Sequence, residues 1–282
     1  MYKKRIIFAI VILGFHLIQA QTKISLENYF RTLKSVKVEI EHKTYNFLFD
    51  TGGGLTIVSP EIVKEINKSA YGNSVGFRMS GETIETKVCD SLNIKIGGLN
   101  FFHASVGVFD IMSLLPKELN RVDGLISLKT FEQMKIVLNL SENELIIETD
   151  ESFGKKNKSM DLVESRFANG TNGTELNIFI GTPFNHHLWW FLFDSGNISQ
   201  TKISTNVAKE WELKTNDEGG ITALGEIKFA IANDSITAPT ILDKIIYDGA
   251  WSFDFISQSE YAISFKDKKV WTKKHITTKR QL

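Results

Sequence analysis

Two carboxylates in this chain stand at the end of the same phrase. Phe47-Leu48-Phe49-Asp50-Thr51-Gly52 returns as Phe191-Leu192-Phe193-Asp194-Ser195-Gly196. An apolar run that ends in Asp, a hydroxyl and Gly delivers a carboxylate where a strand leaves its sheet. The glycine permits a tight turn that brings backbone N–H groups toward that carboxylate. Two such turns facing across a pseudo-twofold axis place Asp50 and Asp194 within reach of one water. Like charges that close resist double ionisation, so the pair holds one proton over a broad acidic range and titrates as a unit. The ionised member takes a proton from water while the protonated member donates to a carbonyl oxygen, and no metal or cofactor is called for. The hydroxyls of Thr51 and Ser195 are placed to bond the opposite loop and lock the two turns together.

The elements that must position these loops are duplicated as well. Asp123-Gly124-Leu125-Ile126-Ser127 matches Asp248-Gly249-Ala250-Trp251-Ser252, and the two segments run on without a gap, so that Asn143 falls opposite Lys268 in corresponding polar turns. Asp50 and Asp123 are 73 positions apart and Asp194 and Asp248 are 54 apart, so the first repeat carries 19 residues that the second lacks. The pattern is mainly that of strands. Val36, Val38 and Ile40 alternate with charged residues as in a half-buried strand, and the runs into each Asp motif suit strands buried on both faces. The second repeat reads as a strand over 176–180, a turn at 181–183 and a strand over 188–193. Short helices are expected over 60–66, capped by Ser59 with Pro60 at the first position, and over 205–212. The chain divides into residues 1–20, a first lobe over 21–150, a polar linker over 151–160 and a second lobe over 161–282.

Composition bounds the function classes. The 282 residues carry 33 basic and 33 acidic side chains, a balance that argues against nucleic acid as a partner. Lys3, Lys4 and Arg5 precede an apolar stretch over 6–18 that ends near Ala20, as in an export signal; the stretch is short for a membrane span, and both cleavage and retention as an anchor stay open. Cys89 is the single cysteine, so no intrachain disulfide forms. An exported chain without disulfides points to a bacterial periplasm or exterior, and Cys89 reads as a small buried hydrophobe. The basic end, Lys273 to Arg280, reads as a solvated terminus. Trp189, Trp190 and Trp251 read as packing residues, and His186-His187 as part of a hairpin turn rather than a metal site.

With both motifs in place, the chain resembles the pepsin-like aspartic proteases, and most closely the bacterial proteins built from two retropepsin-like repeats. The likeness runs from about Val36 to Trp271. It implies an all-β, bilobal fold of two duplicated six-stranded-type β-barrel lobes with few short helices, and an endopeptidase in which Asp50 and Asp194 form the catalytic dyad. Thr51, Gly52, Ser195, Gly196 and Asn197 then support the dyad loops. The extra residues of the first lobe supply a flap closing over an extended peptide, a hairpin over 76–86 whose tip is Met79, Ser80, Gly81 and Glu82. The protein is expected to act as a monomer on a peptide or protein substrate, with no membrane span once the signal is removed.

The chain departs from the family pattern at three places. Ser127 and Ser252 stand where the family usually has Gly. Asp123 and Asp248, where the family often has a turn Asp before Gly, invite a catalytic reading as well but are no departure. Gly53 and Asn197 replace the hydroxyl residue that commonly follows each catalytic Asp by three; Asn197 can donate from its amide and Gly53 only from backbone. The flap has no tyrosine. These departures leave a second reading open, a catalytically weak or inactive protein that uses the same fold for binding or regulation.

Overall fold

The computed structural model describes residues 21–170, 172–213 and 221–275. The expected export signal and the end of the basic tail lie outside these residues.

Three sheets build the molecule. Strands Lys34–Ile40, Lys43–Asp50, Thr83–Ile96, Leu99–Val108 and Gly124–Ser127 belong to an eight-stranded sheet in the first lobe. Leu176–Phe184, His187–Phe193, Thr222–Ile231, Asp234–Asp243 and Gly249–Trp251 belong to a seven-stranded sheet in the second. The fold is all-β and bilobal. A six-stranded sheet with strands from both lobes joins them.

That shared sheet carries the symmetry axis. Strands Lys135–Asn139 and Ser259–Ser264 lie side by side, antiparallel, with Val137 paired to Ala262. These two residues are also counterparts in the repeat, so the axis passes between a residue and its own duplicate. Each strand then forms a hairpin with its successor, Glu144–Glu148 or Lys269–Lys274. Both hairpins turn through a left-handed residue at the aligned position, Asn143 with φ 58° and Lys268 with φ 51°.

In each lobe the strand leading to Asp runs parallel to the strand of the downstream Asp-Gly segment. Phe47 faces Gly124 and Phe191 faces Gly249. Glycine is required there by space. A Cβ on Gly124 would lie 2.3 Å from the Phe47 ring, and one on Gly249 would lie 2.2 Å from the Phe191 ring. The crossing survives Ser127 and Ser252 because both adopt negative φ, −97° and −86°. Their hydroxyls cap the following helical turns and bond equivalent threonines, Thr56 and Thr201, each at 3.1 Å.

Local signals place the short helices. Pro60–Glu65 is capped by Ser59, whose side chain accepts from the Ile62 N–H, and Thr205–Glu210 is capped by Ser204 in the same way. Two segments differ from the sequence reading. Residues 181–183 continue the strand Leu176–Phe184, and the turn falls on Asn185 and His186, both at positive φ. The first lobe turns identically at Glu41 and His42, exactly one repeat earlier in register. The polar segment after residue 150 is helical: Asp150–Lys156 starts from a Thr149–Ser152 capping box and buries Phe153 edge-on against Trp271. One buried aromatic and good caps outweigh the polarity of that segment.

The cores are aromatic. Trp251 stacks on Phe255 at 3.7 Å between centroids and on Phe191 at 4.4 Å, and Phe193 meets Tyr261 edge-on. Cys89 is buried and free, and burial pushes its thiol upward, away from the thiolate. No helix among the described residues is long and apolar enough to cross a membrane.

Candidate active site

The two Asp loops meet and clasp each other. The Thr51 N–H donates to Ser195 Oγ at 3.0 Å, and the Ser195 N–H donates to Thr51 Oγ1 at 2.9 Å. Thr51 Oγ1 also donates to the Phe193 carbonyl at 2.7 Å. Thr51 and Ser195 are almost wholly buried, so these bonds are shielded from competing water.

The clasp brings Asp50 and Asp194 together. Their carboxyl groups converge on one backbone donor. One backbone donor, the Gly196 N–H, lies 3.0 Å from Asp50 Oδ1 and 2.9 Å from Asp194 Oδ1. Gly52 N–H donates to Asp50 Oδ1 at 2.9 Å, and Asn197 N–H donates to Asp194 Oδ1 at 3.1 Å. The motif glycines are needed for this approach. A Cβ on Gly52 would lie 2.4 Å from Asp194 Cγ, and one on Gly196 would lie 2.4 Å from Asp50 Oδ2.

Burial raises both carboxyl groups above their ordinary range. Asp194 is raised further, by burial first, then by the Asp50 charge. For Asp50 the Gly52 and Gly196 N–H groups pull back toward the ionised form. Asp194 is only 6% exposed, whereas Asp50 retains more access to solvent. The two carboxyl groups therefore titrate as one pair, with Asp194 the more deeply buried member.

The residues after the motifs act differently from the expectation based on their side chains. Asn197 stabilises Asp194 through its backbone N–H; its side-chain amide donates instead to the Gln200 carbonyl at 3.2 Å. Gly53 faces the outer oxygen of Asp50 with its Cα alone, since a Cβ there would stand 3.4 Å from Asp50 Oδ2 and 2.6 Å from Leu125. Asp123 and Asp248 stand apart from the dyad. Each accepts from a backbone N–H of the neighbouring strand, Asn46 at 3.2 Å and Trp190 at 2.9 Å, and so serves the crossing.

The first lobe's extra residues form a hairpin of Tyr71–Phe77 with the start of Thr83–Ile96, in register from Phe77 opposite Thr83. Arg78 N–H donates to the Glu82 carbonyl and Gly81, at φ +86°, closes the tip. The tip crosses to the second lobe, where the Ile246 N–H donates to the Met79 carbonyl at 2.9 Å. Met79 lines the cleft beneath the hairpin together with both aspartates; Ser80, Gly81 and Glu82 do not line it.

This cleft of about 320 Å³ is walled on the Asp50 side by Leu33, Leu48, Ile111, Leu114 and Leu125. These positions escape motif reading because they are ordinary apolar residues brought together by the 3₁₀ turn Ile111–Leu114. Tyr247 lines it from the second lobe, and its hydroxyl is pushed upward by burial and by the charges of Asp194 and Glu175. Its position just before Asp248 in the repeat is the one signal that could have singled it out.

Comparison with known proteins gives two kinds of likeness. No curated protein sequence matches the chain. In solved structures, the chain is similar to conglutin gamma, a basic 7S globulin from lupine seeds, with 9% identity over 90% of this chain and 95% of that one and a TM-score of 0.55. It is similar to the basic 7S globulin from soybean to the same degree, with 9% identity over 89% and 95% of the two chains and a TM-score of 0.54. At such identity the likeness is one of fold. In sequence, residues 36–130, which hold Asp50 and the flap hairpin, match the aspartyl protease family.

Proposed function

We propose that this protein is an exported aspartic-type endopeptidase that hydrolyses peptide bonds by direct attack of water. The observation that carries the reading is the pair Asp50 and Asp194, buried together and sharing the Gly196 N–H. Asp50 takes a proton from water as the water oxygen bonds to the peptide carbonyl carbon, and Asp194 gives its proton to the carbonyl oxygen. The tetrahedral diol then collapses: the C–N bond breaks, the nitrogen receives the proton held by Asp50, and Asp194 recovers its own from the diol. The substrate lies extended beneath the flap, which excludes water and pairs with peptide backbone. The basic residues and apolar run of the first twenty positions support export to a bacterial periplasm or exterior.

A second reading, a binding protein of the same fold, is favoured by two observations. Asp50 lacks a hydroxyl neighbour at Gly53, and the flap tip is bonded across the cleft to Ile246. Seed globulins share the fold, and fold alone does not decide activity. Digestion of a denatured protein by the purified mature chain between about pH 3 and 7, where one shared proton is expected, separates the readings. The enzyme reading requires cleavage blocked by a statine-type inhibitor. Absence of cleavage across that range refutes it.

A further inference from the structure

We propose that Glu175 and Asn177 form a charge-selecting subsite that takes a lysine or arginine side chain of the bound peptide. The inference rests on the reading of the cleft as a peptide site. Beside the apolar hollow, the cleft holds a second hollow of about 130 Å³, bounded by Gly52, Gly53 and Gly54 of the Asp50 loop and by Ser74 and Thr86 of the flap hairpin. Glu175, Asn177 and Tyr247 close it from the second lobe.

Duplication shows how the two sides diverged. Leu48 pairs with Ser35 and Leu192 pairs with Phe179 in equivalent registers. Counting back two residues from each partner makes Leu33 the counterpart of Asn177. Leu33 helps form the apolar hollow, whereas Asn177 carries an amide into the second one. Two further steps back make Arg31 the counterpart of Glu175. Equivalent positions thus differ in both polarity and charge.

Both polar groups await a donor. Asn177 Oδ1 is buried and has no hydrogen-bond partner in the structure. Its amide is held against the Asp50 loop, 3.3 Å from where a Gly54 Cβ would stand. A buried acceptor left in this state is costly unless a ligand supplies the bond. Glu175 is the only carboxylate or basic group on the hollow's wall, and it makes no ion pair among the described residues. Glu175 shares the wall of this hollow with Tyr247 of the same lobe. A cationic side chain entering beside Tyr247 pairs with the Glu175 carboxylate, and rotation of the Asn177 side chain out of its sheltered position brings Oδ1 to the same ammonium or guanidinium.

The test measures binding, so it does not depend on turnover. Octapeptides with acetylated and amidated ends, each with one leucine and with lysine, glutamine or glutamate scanned through the other positions, are titrated onto the full chain carrying Asp194→Asn. Blocking the ends separates a side-chain cation from a peptide N-terminus. One position should favour lysine over glutamine by about tenfold or more, the scale of one charged pair in partial shelter. That preference should vanish in Glu175→Gln and reverse toward glutamate in Glu175→Lys. Lack of a charge preference at every position, its survival in Glu175→Gln, or failure of every peptide to bind overturns the proposal. Cleavage of the same peptides by the unmodified chain reports separately on the enzyme. Cleavage without charge preference removes the subsite alone, and charge-selective binding without cleavage removes the enzyme alone.

Discussion

Thr51 and Ser195 exchange hydrogen bonds across the two lobes, each backbone N–H donating to the other's hydroxyl oxygen at 3.0 and 2.9 Å. The contact joins structure to chemistry, because Asp50 and Asp194 each precede one of these residues. Thr51→Val keeps the shape but leaves the Ser195 N–H and the Phe193 carbonyl buried without a partner. It should cost about 2–6 kcal/mol in chemical denaturation, taking ~1–3 kcal/mol for each orphaned group. Thr51→Ser restores the hydroxyl and should recover most of that loss.

Gly52 and Gly196 leave room for the opposite carboxyl group. In Gly52→Ala the new methyl would stand 2.4 Å from Asp194 Cγ, and in Gly196→Ala 2.4 Å from Asp50 Oδ2. Either change must push the carboxylates apart. A displacement of about 1 Å suffices for a hundredfold loss of rate, so steady-state kinetics should show at least that loss in kcat/KM, while circular dichroism stays that of a β protein.

The dyad also sets a pH dependence of stability. Both folded carboxyl groups are raised above their ordinary value of 3.8, so the native state binds more protons than the unfolded chain above that value. Their contribution is therefore fully present below pH 3.8 and is lost as pH rises through the folded range, by at most ~1.4 kcal/mol per pH unit for each proton. Asp194→Asn removes the coupled titration. Denaturation across pH should show the unmodified protein losing stability relative to this variant as pH rises. Comparing the two cancels His103, which burial and then Lys129 push down to about 4 and which acts in the opposite sense.

How much of this was legible in the sequence depended on whether a residue announced itself by repetition. The Asp motifs, the aligned turns at Asn143 and Lys268 and the cap Ser59 are local signals, and each has its counterpart in the fold. The helix Asp150–Lys156 escaped because its stability comes from Phe153 packing on Trp271, a contact invisible in a polar stretch. Asn197 suggested its amide as donor, yet the turn spends that amide on the Gln200 carbonyl and leaves the backbone to the aspartate. The cleft walls at Leu33, Tyr247 and Glu175 come from distant segments, so only tertiary packing reveals them.

Among the described residues, the tip of the hairpin over the cleft is bonded to the second lobe from the Ile246 N–H to the Met79 carbonyl, with Gly81 at φ +86° beside it. Gly81→Ala strains that conformation by about 1 kcal/mol and sets a methyl 3.0 Å from Ile246 Cγ2. The closed arrangement should weaken. Hydrogen exchange at the Ile246 amide should quicken severalfold, and KM should rise more than kcat falls.

The central claim is that Asp50 and Asp194 act as one acid–base pair on water. Its most direct test is kcat/KM for an extended peptide, measured between about pH 3 and 7 for the unmodified protein and for Asp194→Asn. The account predicts cleavage by the former and a loss of at least about a hundredfold in the latter, the scale of removing one general acid, with the fold retained. Equal rates in the two proteins, or no cleavage by the unmodified one, would contradict it.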